Sequence, residues 1–161
     1  MNTLNLQNMT TSQAGKDLIK QAEGWSPVPY HGKADRPGVI TIGWGHVVRS
    51  HESFTSISQN PTGEFLLSQD LLFAEHDIKR LVKVELNQNQ FDALVSFFFN
   101  LGDGPDHSTL ISLVNQGKFL EAAEEFVKWD HVRDVHGNLV EAEGLKNRRL
   151  LEKDLFLKAV N

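Results

Sequence analysis

Between residues 23 and 46 the chain reads EGWSPVPYHGKADRPGVITIGWGH, and three of its side chains could serve one reaction. Glu23 falls at the end of a helical pattern, just before Gly24, where the negative pole of the helix dipole disfavours an ionised carboxylate and suits the group to give up a proton. Trp25 and Tyr30 follow closely, and apolar cover works in the same direction. Asp35, in Ala-Asp-Arg-Pro-Gly, offers a second carboxylate, and Thr41 a hydroxyl able to orient a water. Cleavage of a glycosidic bond asks for such a set: an acid for the leaving oxygen, and across the sugar a carboxylate that activates water or stabilises developing positive charge. Gly43 and Gly45 would let the backbone approach a bulky ligand. Singly, each has a plainer reading, as a helix-end glutamate, a turn aspartate and a strand threonine. The signal lies in their order and spacing.

The elements that would hold these groups follow from periodicity. Thr11 or Ser12 can cap a first helix with Leu18, Ile19 and Ala22 on its apolar face, and Gly24 stops it. From Trp25 to about Gly38 the Pro, Gly and Asp content predicts mostly irregular chain, and Val39 to Val48 a short hairpin. Residues 50–63 read as a loop or weak helix. Leu71, Leu72, Ile78, Leu81 and Val82 predict a long amphipathic helix over about 68–84. Asn87 with Gln90 resembles a capping box for a helix whose stripe of Phe91, Leu94, Val95 and Phe98 ends at Gly102. Ser108 to Gly117, Phe119 to Trp129 and Leu145 to Ala159 predict three more helices, with Asp130 to Gly144 a loop or small hairpin. The class is α+β: one domain over residues 1–161, with a small strand-bearing lobe over about 12–67, the linking helix, and a helical lobe over about 85–161.

Composition removes other chemistries. With 161 residues and ten Phe the chain can bury a core without staples, and the absence of Cys excludes disulfides, thiol nucleophiles and thiolate metal sites. Seven His residues invite a metal site. His131 and His136 near Asp130 and Asp134, or Asp103 and Asp106 with His107, are the candidates, but they are scattered over loops without HExxH spacing, so neither metal nor cofactor is expected. A net charge of −5 disfavours nucleic acid and gives no attraction to an anionic polymer, a repulsion that added salt screens. The first residues lack the basic start and apolar run of a signal peptide, and no stretch is long enough to span a bilayer, so a soluble monomer made in the cytoplasm is expected. Of Arg148 and Arg149, adjacent on the last helix, only one is expected to point inward.

Taken together, Glu23-Gly24, Tyr30, Asp35 and Thr41-Ile42-Gly43-Trp44-Gly45-His46 resemble the signature of the phage-type lysozymes, or endolysins, of glycoside hydrolase family 24. QFDALVSFFFNLGDG (90–104), STLISLVNQGKFLEAAEEFVKW (108–129) and EGLKNRRLLEKDLF (143–156) resemble the family's later helical segments in the same order. The resemblance implies a lysozyme-like fold and hydrolysis of the β-1,4 bond between N-acetylmuramic acid and N-acetylglucosamine in bacterial peptidoglycan, at a cleft between the lobes. It implies Glu23 as general acid, Asp35 as second carboxylate and Thr41 as holder of the water, with Tyr30, His46, Val47 and Phe99 toward the sugar and Arg148 close to the acid. It also implies a holin as the partner that opens the way from the host cytoplasm to the wall. The Glu-to-Asp segment is longer than the family pattern by about three residues. Either the insertion lies between Tyr30 and Asp35, or the second carboxylate is displaced, the family position falling on Gly32 beside His31. A lytic transglycosylase using Glu23 alone and a noncatalytic wall-binding module are the alternatives.

Overall fold

The structure is a computed structural model that describes residues 5–32, 37–134 and 136–159. Helix α1, Gln13–Glu23, is entered through two side-chain anchors. Thr11 donates its N–H and hydroxyl to Glu75 Oε1 at 2.9 and 2.7 Å, and the N–H and hydroxyl of Ser12 reach Asp92. Ser12 is the N-cap, and Gly24, with φ 71°, ends the helix. Ile19 is fully buried, but Ala22, expected on the apolar face, is exposed. Close packing falls instead at Gly15, where a Cβ would lie 2.8 Å from Asp92 Cγ. Helix α1 is thus pressed into the core by its first turns, and its far end, with Glu23, is turned outward.

Three short strands follow: β1, Ser26–Tyr30, β2, Thr41–Gly43, and β3, His46–Val47, in an antiparallel sheet of that order. The expected hairpin is β2 and β3, with Thr41 opposite Val47 and Ile42 opposite His46. Strand β1 lies where irregular chain was expected. Its prolines are tolerated because it is an edge strand. Ser26 and Tyr30 pair with β2, while the carbonyl of Pro27 turns the other way to accept from Ile57 N–H at 2.8 Å.

Helix α2, Glu64–Leu81, starts directly after a turn at Gln59–Gly63 and so begins before the expected residue 68; it ends at Leu81 because Val82 is extended. Leu66, Leu67, Leu71, Ala74 and Ile78 face inward, whereas Leu72 of the expected stripe is 56% exposed. Helix α3, Gln88–Leu101, carries the expected capping box: Gln90 N–H donates to Asn87 Oδ1 at 2.8 Å, and Asn87 N–H to Gln90 Oε1 at 2.9 Å. It packs against α1, α2 and the last helix of the chain, and its Phe91, Leu94, Val95 and Phe97 are fully buried.

Helices α4, Thr109–Asn115, and α5, Phe119–Phe126, a hairpin of β4, His131–Arg133, and β5, Leu139–Glu141, and helix α6, Glu143–Leu157, complete the described fold. An aromatic cluster joins α3, α5 and α6: Phe97 meets Phe126 edge-on with centroids 5.1 Å apart, and Phe126 meets Phe156 at 5.3 Å. The class is α+β as expected. Replacing the cap in Asn87→Ala is expected to cost about 1 kcal/mol, read as a lowered urea midpoint with an unchanged slope. An unmoved midpoint would mean that packing alone sets the start of α3.

Candidate active site

Glu23 is fixed from below. Its Oε1 accepts from Arg148 Nη1 at 2.6 Å, with the glutamate side chain 20% and the arginine 5% exposed. The guanidinium has little freedom, since its Nε donates to Glu152 Oε1 at 3.2 Å and its Nη2 to the carbonyl of Ser96 at 3.1 Å. Arg149 is buried too, contrary to the expectation that only one of the pair could face inward. Glu152 reconciles them: lying three and four residues further along α6, it takes Arg149 Nη1 on Oε2 at 2.6 Å and Arg148 on Oε1. Arg149 is spent on structure, donating to the Trp129 carbonyl at 3.1 Å and to Asn100 Oδ1, with its guanidinium over the Phe97 ring. Burial pushes the Glu152 carboxyl up, opposed by the two guanidiniums and the Ser96 hydroxyl, and burial lowers Arg149.

From above, the backbone at Gly45 closes on the same carboxylate. A Cβ there would stand 2.5 Å from Glu23 Oε2, and φ is 73°, a conformation that side chains disfavour. Gly45 also lines a groove of about 270 Å³ with Val47, Phe73, Phe98 and Phe99 on its apolar side and Arg49, Asp70 and Asp77 among its polar residues. A second depression of about 320 Å³ is lined by Glu23, Gly24, Trp25, Ser26 and Tyr30. Glu23 therefore lines the second depression, while Gly45, whose backbone lies against its carboxylate, lines the groove.

The other expected residues separate into distinct places. Thr41 is 6% exposed on β2, opposite Tyr30 and Val47 in the sheet register. Val47 and Phe99 line the groove, and Tyr30 lines the second depression. Asp35 lies outside the described residues. His46 is placed inside the protein, 2% exposed, rather than on a groove wall. Its Nδ1 is 2.7 Å from Asp70 Oδ2 and its Nε2 2.9 Å from Glu52 Oε2, so both ring nitrogens are engaged. Asp70, then Glu52, raise the His46 pKa against burial. Burial pushes Glu52 up, but the Arg49 N–H and His46 outweigh it and leave its carboxyl below the ordinary value. Sequence reasoning missed Glu52, Asp70 and Glu152. Only Glu152 left a signal, its spacing from the arginines on one helix. Among the described residues no group of three or more His, Asp or Glu is placed to hold a metal ion, and His131 Nδ1 pairs with Asp130 Oδ1 at 2.5 Å.

The phage lysozyme family model matches residues 20–152. The chain belongs to that family. It is 39% identical to an endolysin of Bacillus phage B103 over 92% of its own length and 54% of the relative's, so it spans about half of that protein. It is 34% identical to the endolysin of Salmonella phage P22 over 92% of this chain and 99% of the relative. Among solved structures, this phage lysozyme family member is similar to the muramidase domain of SpmX from Asticaccaulis excentricus, with TM-score 0.82, 34% identity, and coverage of 94% and 100% of the two chains. It is similar likewise to the endolysin from Escherichia coli O157:H7 phage FAHEc1, with TM-score 0.80, 34% identity, and 95% and 96% coverage. The fold is lysozyme-like. Among the described residues no helix is long and apolar enough to cross a membrane.

Two outcomes follow from this geometry. Gly45→Ala must displace either the turn or Glu23 and is expected to lower any activity that depends on Glu23 by at least about tenfold, with near-native circular dichroism; full activity would show that the contact constrains nothing. For His46, a folded pKa above its ordinary 6.5 means that its contribution to stability is complete below 6.5 and is lost as pH rises through the folded value. For Glu52, lowered from 4.5, the contribution is present above 4.5 and lost as pH falls through the folded value. The stability difference between the native chain and His46→Gln, from urea titrations across pH, should be greatest between those limits and shrink above 6.5. A difference that grows with rising pH contradicts the pairing.

Proposed function

We propose that the chain is a muramidase of the endolysin type, hydrolysing the β-1,4 bond between N-acetylmuramic acid and N-acetylglucosamine in bacterial peptidoglycan. The observation that carries this reading is Glu23, held by Arg148, lining one depression and overlain by the bare backbone of Gly45, which lines the other. A glycan laid over Gly45 brings its bridging oxygen to the carboxyl. Glu23 protonates that oxygen as the bond breaks, and Arg148 stabilises the carboxylate that remains. Asp35 serves as the second carboxylate, assisting water or the oxocarbenium ion, and Thr41 holds the water. Tyr30, Val47 and Phe99 shape the walls, while His46 acts indirectly by fastening β3 beneath Gly45. In this reading the chain acts as a monomer released from the host cytoplasm through a lesion made by a holin.

Digestion of purified wall by the native chain, Glu23→Gln and Asp35→Asn tests the roles together. The native chain is expected to release reducing sugars, with one water taken up for each bond cleaved, so that each fragment is one water heavier than the corresponding anhydro product. Glu23→Gln is expected to lose about 10²-fold or more, the scale of a positioned general acid, and Asp35→Asn to fall as well. Anhydro-sugar products made equally well without Asp35 would establish a lytic transglycosylase instead. Wall binding with no bond cleavage would leave a noncatalytic module.

A further inference from the structure

Phe73 is 64% exposed, yet it is not a stray apolar side chain, because it shares its groove with the half-exposed Val47 and with Phe99. Its ring is also held. The Arg49 guanidinium lies over the ring, 5.3 Å from its centroid, and lines the same groove. Arg49 is itself anchored, by its N–H to Glu52 Oε2 at 2.9 Å and by Nη2 to Asp70 Oδ1 at 3.5 Å. Glu52 and Asp70 are the two carboxylates that grip the buried His46. Arg49 thus links Phe73 to the clamp beside Gly45.

We propose that Phe73 is a stacking platform for a pyranose of the glycan strand at a position removed from the cleavage point, with Arg49 as its positioning residue. The proposal rests on the glycan reading of the Glu23 site and names a recognition element within it. Three features support it. The groove includes Gly45, whose backbone lies against the Glu23 carboxylate, so a strand crossing Gly45 reaches the groove that holds Phe73. The C–H face of a pyranose carries partial positive charge and meets the negative face of a phenyl ring favourably, the geometry in which aromatic faces attract positive edges. Asp77 on the same groove supplies an acceptor for the hydroxyl and amide hydrogens at the sugar's rim. Phe73 would thus set how many sugars the enzyme must grip rather than how fast it breaks the bond.

The test reads binding separately from cleavage. Peptide-free glycan strands of graded length are titrated calorimetrically into the Glu23→Gln protein, alone and combined with Phe73→Ala, Phe73→Trp or Arg49→Gln. Phe73→Ala is expected to weaken binding of long strands by about tenfold, the worth of one aromatic contact, to leave the shortest binding strands unaffected, and to leave the melting temperature unchanged because the ring is exposed. Phe73→Trp is expected to restore binding, and Arg49→Gln to weaken it less than Phe73→Ala does. Binding that ignores Phe73 at every length overturns the platform, and so does a loss confined to peptide-bearing wall, which would assign Phe73 to the stem peptide. If the native chain releases no reducing sugar while long-strand binding still needs Phe73, hydrolysis fails and the platform stands.

Discussion

The buried guanidinium of Arg148 is the constraint on which the site depends. One planar cation spans three elements: its three nitrogens point to Glu152 on its own helix, to the Ser96 carbonyl on α3, and to Glu23 at the end of α1. Helix α1 is entered at its first turn through Glu75 and Asp92, but its last turn leaves the core, and an unpaired glutamate there would be free to swing. The cost of burying Arg148 is offset by Glu152 and the Ser96 carbonyl, both out of water, so breaking the set from either side would strand a buried charge at a cost of about 3–5 kcal/mol. Arg149 completes the balance, since a single carboxylate between two guanidiniums leaves one positive charge in excess, and that excess is directed at Glu23.

A second clamp serves the other half of the site. His46 joins Glu52 and Asp70 across the strand-bearing segment and α2, and its immediate neighbour Gly45 lies on Glu23. The two clamps are built on different chemistry. Arginine keeps its charge at every accessible pH, whereas histidine titrates near neutrality. The clamp on the backbone turn is therefore the one whose charge changes near neutral pH.

Much of this was legible in the sequence where the determining interaction is local. The capping box of Asn87 and Gln90, the stop at Gly24 and the Phe stripe of α3 are written within a few residues of where they act. The glycosidase signature located Glu23 correctly at a helix end, beside a turn that needs glycine. Failures came where partners are distant. Ala22 gave way to Gly15 because close contact with Asp92, far along the chain, sets the packed face of α1. Strand β1 was hidden by Pro27 and Pro29, which an edge position tolerates. His46 read as a sugar-facing residue because nothing nearby in sequence announces that Asp70 will take one ring nitrogen. The pairing of Arg148 and Arg149 with one carboxylate follows from the three- and four-residue spacing to Glu152, although adjacent helix positions by themselves face apart.

In the proposed mechanism a glycan crosses Gly45 so that the bridging oxygen of one linkage meets the side chain at position 23. The most direct measurement is a crystal structure of the Glu23→Gln protein with a bound peptidoglycan strand. The expected result is sugars in both depressions and a bridging oxygen within hydrogen-bond distance of that side chain, with Arg148 still behind it. A strand seated elsewhere, or lying across Gly45 with no linkage within reach of position 23, would contradict it.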